Sequence, residues 1–175
     1  MTDHFVDIVD ENDQVVGKEL KSKKPELNFI SRTVSVFIVN SKNKISVCRR
    51  GHHKKNDPNV YDVSAYGNVV AGESCEQAAK RELLEELGID CPLIFLDKYY
   101  REIDKNGQKT SKIFCSIFLG KSDQEPRLNH ELSEFKWLNF TELKDKLEND
   151  SADYCPGLKD DFTKVKNELL NYLEA

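Results

Sequence analysis

Most of the chain reads as short apolar runs separated by polar turns, interrupted by one helical segment near its middle and closed by two at its C-terminal end. Phe5 to Val9 and Gln14 to Glu19 flank the polar stretch Asp10-Glu-Asn-Asp13, which predicts an N-terminal β-hairpin over about residues 5–20. Arg32 to Val39 is rich in β-branched and apolar side chains and predicts a central strand. A turn at Asn40 to Lys44 returns the chain as a strand over Ile45 to Arg49, and Tyr61 to Ala65 predicts another. Leu93 to Ile103 and Thr110 to Leu119 read as a hairpin across Asp104-Lys-Asn-Gly107, and Phe135 to Leu138 as a short last strand. Helices are expected near Thr141 to Glu148 and Leu158 to Leu173.

The middle helix carries the chemistry. Ser74 to Leu87 contains no Gly or Pro; Ser74 is a candidate N-cap with Gln77 at capping-box spacing, and Gly88 supplies the stop. At about 100° per residue, Glu82, Glu85 and Glu86 share one arc, and Leu83, Leu84 and Leu87 share another that would face the core. Three carboxylates on one arc repel each other unless a cation neutralises them. Hard oxygen donors of this kind suit Mg²⁺, with Mn²⁺ the alternative. A solvated acidic helix face is the plain alternative to a metal site.

The frame around that helix decides between the two. From Gly67 the chain reads Gly, five residues, Glu73, seven residues, Arg81-Glu82-Leu83-Leu84-Glu85-Glu86-Leu87-Gly88-Ile89, without a gap. With each residue type at roughly 5–10 % of average composition, meeting every constraint by chance falls below about one in a million. The segment 67–89 resembles the Nudix box, the signature of enzymes that cleave diphosphate linkages with a bound divalent metal. The resemblance implies a single-domain α/β fold, an α/β/α sandwich around a mixed β-sheet spanning 1–175, and the order of predicted elements fits it. It implies that Glu82, Glu85 and Glu86 hold one or more divalent ions, joined by the backbone carbonyl of Tyr66 just before Gly67. Arg81 and Glu73 match the pair that braces the loop against the helix and orients the ligands. Gly67 allows the tight turn into the box.

Composition narrows the setting. A net charge of −5 with dispersed basic residues argues against a nucleic-acid or anionic-membrane surface. The basic clusters that do occur are short, at Lys21-Ser-Lys-Lys24 and from Arg49 to Lys55. No run approaches the roughly 18 apolar residues of a spanning helix, and the N-terminus has no signal-peptide layout. Five scattered cysteines without a Cys-x-x-Cys pair read as reduced thiols, consistent with a cytoplasmic protein.

Beyond the box, Val6 to Asn12, Phe37 to Lys42, Cys48-Arg49-Arg50 and Tyr61 to Ser64 resemble the Nudix branch that includes isopentenyl-diphosphate isomerase. That enzyme protonates a double bond and hydrolyses nothing. Its catalytic Cys and a metal-binding His fall at Tyr66 and Asn68 here, another metal-binding His falls at Ser31, and its strand glutamates fall within Ser111 to Ile113, where no Glu stands. The expectation is therefore a hydrolase acting on a nucleoside diphosphate linked to a second group, or on another organic diphosphate. Two alternatives are an isomerase-like enzyme and a protein that binds a diphosphate ligand without turnover. The base that activates water is Glu82, Glu131 or Glu134, with Glu131 preferred as a catalytic residue for its position before Trp137. Arg50, with Arg49 beside it, is the candidate diphosphate-binding residue, its guanidinium a forked donor. Tyr66 is a candidate substrate contact; it, Trp137 and Tyr154 either line a pocket or belong to the core. His52 and His53 read as solvated. Specificity is expected from Gly51 to Asn59, Asp104 to Lys109 and Asp150 to Pro156. The partner implied is a small-molecule diphosphate, with no nucleic acid and no membrane; dimers are common in the family, so a homodimer fits the resemblance.

Overall fold

The computed structural model describes residues 3–105, 108–149 and 151–174. Strands β1 (Phe5–Val9) and β2 (Val15–Leu20) form the N-terminal hairpin, followed by a 3₁₀ turn (Lys21–Lys23) and a single helical turn, α1 (Lys24–Leu27). Then come β3 (Ile30–Val39), β4 (Ile45–Arg50), β5 (Tyr61–Asp62), β6 (Ala65–Asn68), α2 (Cys75–Leu87), β7 (Leu93–Lys105), β8 (Gln108–Lys121), β9 (Leu132–Leu138), α3 (Phe140–Asn149), a 3₁₀ turn (Ser151–Asp153) and α4 (Pro156–Glu174). Asp10 builds the first hairpin turn: its Oδ1 accepts from the Asn12 and Gln14 amides, each at 2.9 Å.

β3 is the hub of a mixed sheet. It runs parallel to β8 from Ile30↔Lys112 to Val39↔Lys121, and antiparallel to β6 from Thr33↔Asn68 to Val36↔Ala65. β9 and β5 pair with β4, and β7 with β8, where Lys105 and Gln108 are partners. The turn expected between β7 and β8 lies partly at residues 106 and 107, outside the described residues. Alternation along β3 explains its continuous apolar character, because it buries both faces. Val34, Val36 and Ile38 pack with Ala78, Ala79, Leu83 and Leu87 of α2. Phe37 and Val39, with Cys115, Ile117 and Leu119 of β8, pack with Leu143 of α3 and Leu158, Phe162, Val165 and Leu169 of α4. The result is the expected sandwich, with α2 on one side of the sheet and α3 with α4 on the other.

Two local expectations need correction. The strand over Tyr61 to Ala65 is divided: β5 pairs with β4, and the chain then crosses to pair with β3 as β6. Side chains supply the hydrogen bonds the ladder loses at the crossing. Ser64 Oγ accepts from the Ile38 amide at 2.8 Å and lies 2.6 Å from Ser46 Oγ, and Asp62 Oδ1 accepts from the Val63 amide at 2.9 Å. Leu84 does not join the core; it is 56 % exposed. The helix is rolled so that Glu86, one turn from Leu83 on the other side of the stripe, takes the inward position that Leu84 would have filled.

Candidate functional site

Both ends of α2 are fixed as its sequence requires. The Gln77 amide donates to Ser74 Oγ at 3.1 Å and the Ser74 amide to Gln77 Oε1 at 2.9 Å, a complete capping box. Gly88 closes the helix at a φ of 65°, its amide donating to the Leu84 carbonyl at 2.9 Å.

Arg81 ties this helix to the loop before it and to β6. Its Nε and Nη2 donate to the two oxygens of Glu73, each at 2.9 Å, and Nη2 also reaches the Asn68 carbonyl at 2.9 Å. Its Nη1 donates to Glu82 Oε1 at 2.7 Å and lies 3.5 Å from Glu85 Oε2. Glu73 accepts in addition from the Val70 amide at 3.1 Å. Burial works against ionisation of Glu73, but the forked Arg81 bonds outweigh it and its carboxyl stays below its ordinary value.

The three box glutamates differ in setting. Glu82 packs against Gly67 so closely that a Cβ on Gly67 would fall 1.9 Å from its Cδ and Oε1. Glu86 is buried and accepts from the Tyr66 amide at 3.2 Å, while the Glu85 side chain is 57 % exposed. Burial, with the Glu82 charge beside it, pushes the Glu86 carboxyl up to about 8. Glu82 is also raised, chiefly by burial, with Arg81 opposing. Among the described residues, no three Asp, Glu, His or Cys side chains are drawn together as a metal cage. The glutamates are instead turned to Arg81 and to the Tyr66 amide.

Of the two candidate bases after the box, the fold brings only Glu131 to these carboxylates. Its charge acts on both Glu82 and Glu86. Its loop is anchored by the Glu131 amide to Asn129 Oδ1 at 2.8 Å and by the Gly51 amide to the Glu131 carbonyl at 2.8 Å. Lys54 forms an ion pair with its carboxylate, which holds Glu131 below its ordinary value despite partial burial. Glu134 points elsewhere, accepting from Tyr61 Oη at 2.6 Å and pairing with Arg49 and Lys136.

Neither arginine of the pair reaches the glutamates. Arg50 donates to Asp62 Oδ2 at 2.9 Å and to the Asp57 and Asn56 carbonyls, so it folds the 51–60 loop. Arg49 lies over the Tyr61 ring at 4.2 Å and pairs with Glu134 and Asp153. Besides Arg81, Lys54 and Lys21 bring cations to the site; burial lowers the Lys21 ammonium, while the charges of Glu82 and Glu131 oppose that. Sequence reasoning noted both basic clusters but did not see them converge. Trp137 meets Phe135 edge-on at 5.1 Å and Tyr154 tilts against Tyr61 at 5.5 Å, placing both in packed clusters. His53 stacks on His130 at 6.0 Å.

The positions compared with the isomerase hold another unexpected residue. The Lys24 ammonium is buried between Ser31 Oγ and the Lys112 carbonyl, donating to the latter at 2.8 Å. Burial lowers it to about 7.

A family model described as NUDIX domain matches residues 30–158. The chain belongs to the Nudix family. Among its relatives, a Nudix hydrolase of Deinococcus radiodurans is 32 % identical over 146 residues, covering 79 % of this chain and 80 % of that one. An isopentenyl-diphosphate Delta-isomerase 2 of Photorhabdus laumondii is 28 % identical over 148 residues, covering 84 % of each. A Deinococcus radiodurans crystal structure aligns over 98 % of this Nudix chain and all of its own, with a TM-score of 0.73 and 28 % identity. The MutT protein of Methanosarcina mazei shares the fold with a TM-score of 0.66 at 20 % identity, over 79 % of this chain and 94 % of that one. The protein is a Nudix-type hydrolase, in a family that generally uses divalent cations. Among the described residues no helix is long and apolar enough to cross a membrane, and all five cysteines are free.

Proposed function

We propose that this Nudix protein hydrolyses a diphosphate linkage in a small organic diphosphate or a nucleoside diphosphate linked to a second group, with Mg²⁺ as its metal and Mn²⁺ able to replace it. The observation that carries the reading is the pair Glu82 and Glu86, two interacting carboxylates, Glu86 buried and Glu82 largely covered, with Glu85 at the rim. Burial, with the Glu82 charge beside it, raises the Glu86 carboxyl to about 8, and a hard divalent cation would offset both. Glu82, Glu85 and Glu86 would hold it, with the Tyr66 carbonyl as a further ligand. When bound there, the cation supplies Lewis-acid polarisation of the phosphoryl oxygens and a more acidic water.

The remaining work falls to the chain itself. Arg81 and Glu73 keep the carboxylates in one orientation. Lys21 and Lys54 offer ammonium groups to the anionic diphosphate, the role expected of Arg50 and Arg49 from sequence. Glu131 takes the proton of the attacking water as its oxygen bonds to phosphorus and the bridging P–O bond breaks. Lys54 weakens Glu131 as a base in the free protein, and moving Lys54 onto the substrate phosphate would release it.

The relatives named isopentenyl-diphosphate Delta-isomerase favour a second reading. Against it, Lys24 places an ammonium at Ser31 and Lys112, among the positions where the isomerase carries metal ligands, and Tyr66 stands where that enzyme has its thiol. A panel of diphosphates with Mg²⁺ or Mn²⁺, including isopentenyl diphosphate scored for both isomer and phosphate, separates the readings. Glu85→Gln and Glu86→Gln are expected to lower turnover by orders of magnitude in folded protein. Hydrolysis near wild-type rates in both variants overturns the proposal, and so does isomer formation without phosphate release.

A further inference from the structure

The loop that carries Glu131 takes its place from the end of α2. An α-helix leaves its last carbonyls without a partner inside the helix. Gly88 turns the chain away at a φ of 65°, and the backbone later returns to meet two of these groups. The Arg127 amide donates to the Leu87 carbonyl at 2.7 Å, and the Asn129 amide to the Glu86 carbonyl at 3.1 Å. Side chains close the same contact. A Cβ on Gly88 would touch the Arg127 side chain at 3.4 Å, and Leu128 and Leu132 pack on the cluster that holds Leu83 and Leu87.

Asn129 passes that placement on to Glu131. Its Oδ1 accepts from the Glu131 amide at 2.8 Å, a turn that a short side-chain amide or carboxylate closes two residues on. From the other side, the Gly51 amide donates to the Glu131 carbonyl at 2.8 Å, and the Gly51 carbonyl accepts from the Lys54 amide at 3.1 Å. The approach is tight: a Cβ on Gly51 would stand 3.1 Å from the Glu131 carbonyl oxygen and 2.7 Å from the His53 ring. The Lys54 ammonium then pairs with the Glu131 carboxylate. Many asparagines merely start a turn before a strand. This one bonds through its backbone to Glu86 and through its side chain to Glu131, two residues whose charges act on each other across the site.

We propose that Asn129 is a positioning residue for hydrolysis, fixing the Glu131 carboxylate relative to the metal-binding end of α2. It touches neither water nor phosphorus and acts only through Glu131. A base displaced by about 1 Å can lose on the order of 100-fold in rate, so one side-chain bond to the backbone of Glu131 has leverage. The inference rests on the diphosphate reading above, with Glu131 as the base.

The test is steady-state hydrolysis, in Mg²⁺, of whichever diphosphate of the panel above the wild type turns over fastest. Asn129→Ala keeps the backbone amide that caps α2 and removes only the bond to Glu131. It should lower kcat about 30-fold and leave KM within about twofold of wild type. Asn129→Asp retains the accepting oxygen and should recover kcat to within about threefold of wild type. Glu131→Gln should lower kcat about 100-fold, and adding Asn129→Ala to it should change the rate by less than about threefold. The rise in melting temperature that Mg²⁺ gives should be equal in Asn129→Ala and wild type, because the ligands on α2 are untouched. If Asn129→Ala does not fold, Asn129→Gln, with its amide one methylene too far from the backbone, carries the same expectations. A folded Asn129→Ala or Asn129→Gln with wild-type kcat overturns the inference. So does a further loss of tenfold or more on the Glu131→Gln background, or a reduced Mg²⁺ response in the alanine variant. Wild-type hydrolysis by Glu131→Gln overturns it while sparing the diphosphate reading. Absence of hydrolysis of every panel compound by the wild type overturns both.

Discussion

Gly67 and Glu82 compete for one small volume, and that competition makes a sharp prediction. The atoms that a Cβ at Gly67 would strike are the carboxyl end of Glu82, not backbone, and the φ of Gly67 is not among the positive ones. Gly67→Ala should therefore fold, with a melting temperature within a few degrees of wild type, while displacing the proposed ligand and lowering turnover by about 100-fold or more. Calorimetry together with a hydrolysis assay checks both halves, and a folded, fully active variant would mean that Glu82 has no fixed place in the reaction. Glu86→Gln should behave in an opposite manner toward stability. Above about pH 8, where the Glu86 carboxyl is ionised, removing a buried charge that repels Glu82 should raise the melting temperature of metal-free protein, while abolishing the stabilisation that added Mg²⁺ gives wild type. Equal Mg²⁺-induced shifts in the two proteins would argue that Glu86 is no ligand. The box residues were legible because their chemistry is written in one contiguous frame. Lys21 and Lys54 were not, because they reach the site from two separate loops and only the folded sheet brings them together.

At the scale of an element, α2 shows what periodicity decides and what it leaves open. Its start, its stop and its acidic arc follow from Ser74, Gly88 and the glutamate spacing, all readable in sequence. The roll of the helix about its axis does not, since Leu83 and Leu87 can be buried together with either Leu84 or Glu86, and the helix turns Glu86 inward. That choice is measurable. Leu83→Ala should cost about 2–5 kcal/mol of unfolding free energy, whereas Leu84→Ala should stay within about 0.5 kcal/mol of wild type. Comparable losses at both positions in urea titrations would contradict the observed roll. Ser74→Ala should cost about 1 kcal/mol through the lost cap. The division between β5 and β6 was equally hidden, because Tyr61 to Ala65 has uniform strand character and the switch of partner is enforced by hydrogen bonds to Ser64 and Asp62. The one-turn helix α1 has too little periodicity to announce itself, although it delivers Lys24.

For the molecule as a whole, the glutamates lie on the α2 face of the sheet and buried polar residues such as Ser35 and Asp161 on the α4 face, with β6 between them. Lys24 sits near the edge of this arrangement and gives the fold a pH dependence. Burial lowers its ammonium from 10.5 to about 7, so between those values the unfolded chain binds a proton that the native state does not. Stability should therefore rise with pH across that window. Below about 7 both states are protonated and the cost of burying the charge is constant; above about 10.5 both are neutral and that cost is gone. The full gain is on the order of 5 kcal/mol. Lys21, also lowered by burial, titrates in the same sense, so the contribution of Lys24 is isolated by comparison with Lys24→Met. Urea midpoints measured from pH 6 to pH 10 should climb in wild type and climb much less in the variant. If Lys24→Met rises with pH as steeply as wild type, the buried amine at Ser31 and Lys112 is not the group that sets the slope, and the ammonium held against the start of β3 loses its role in the stability of the fold.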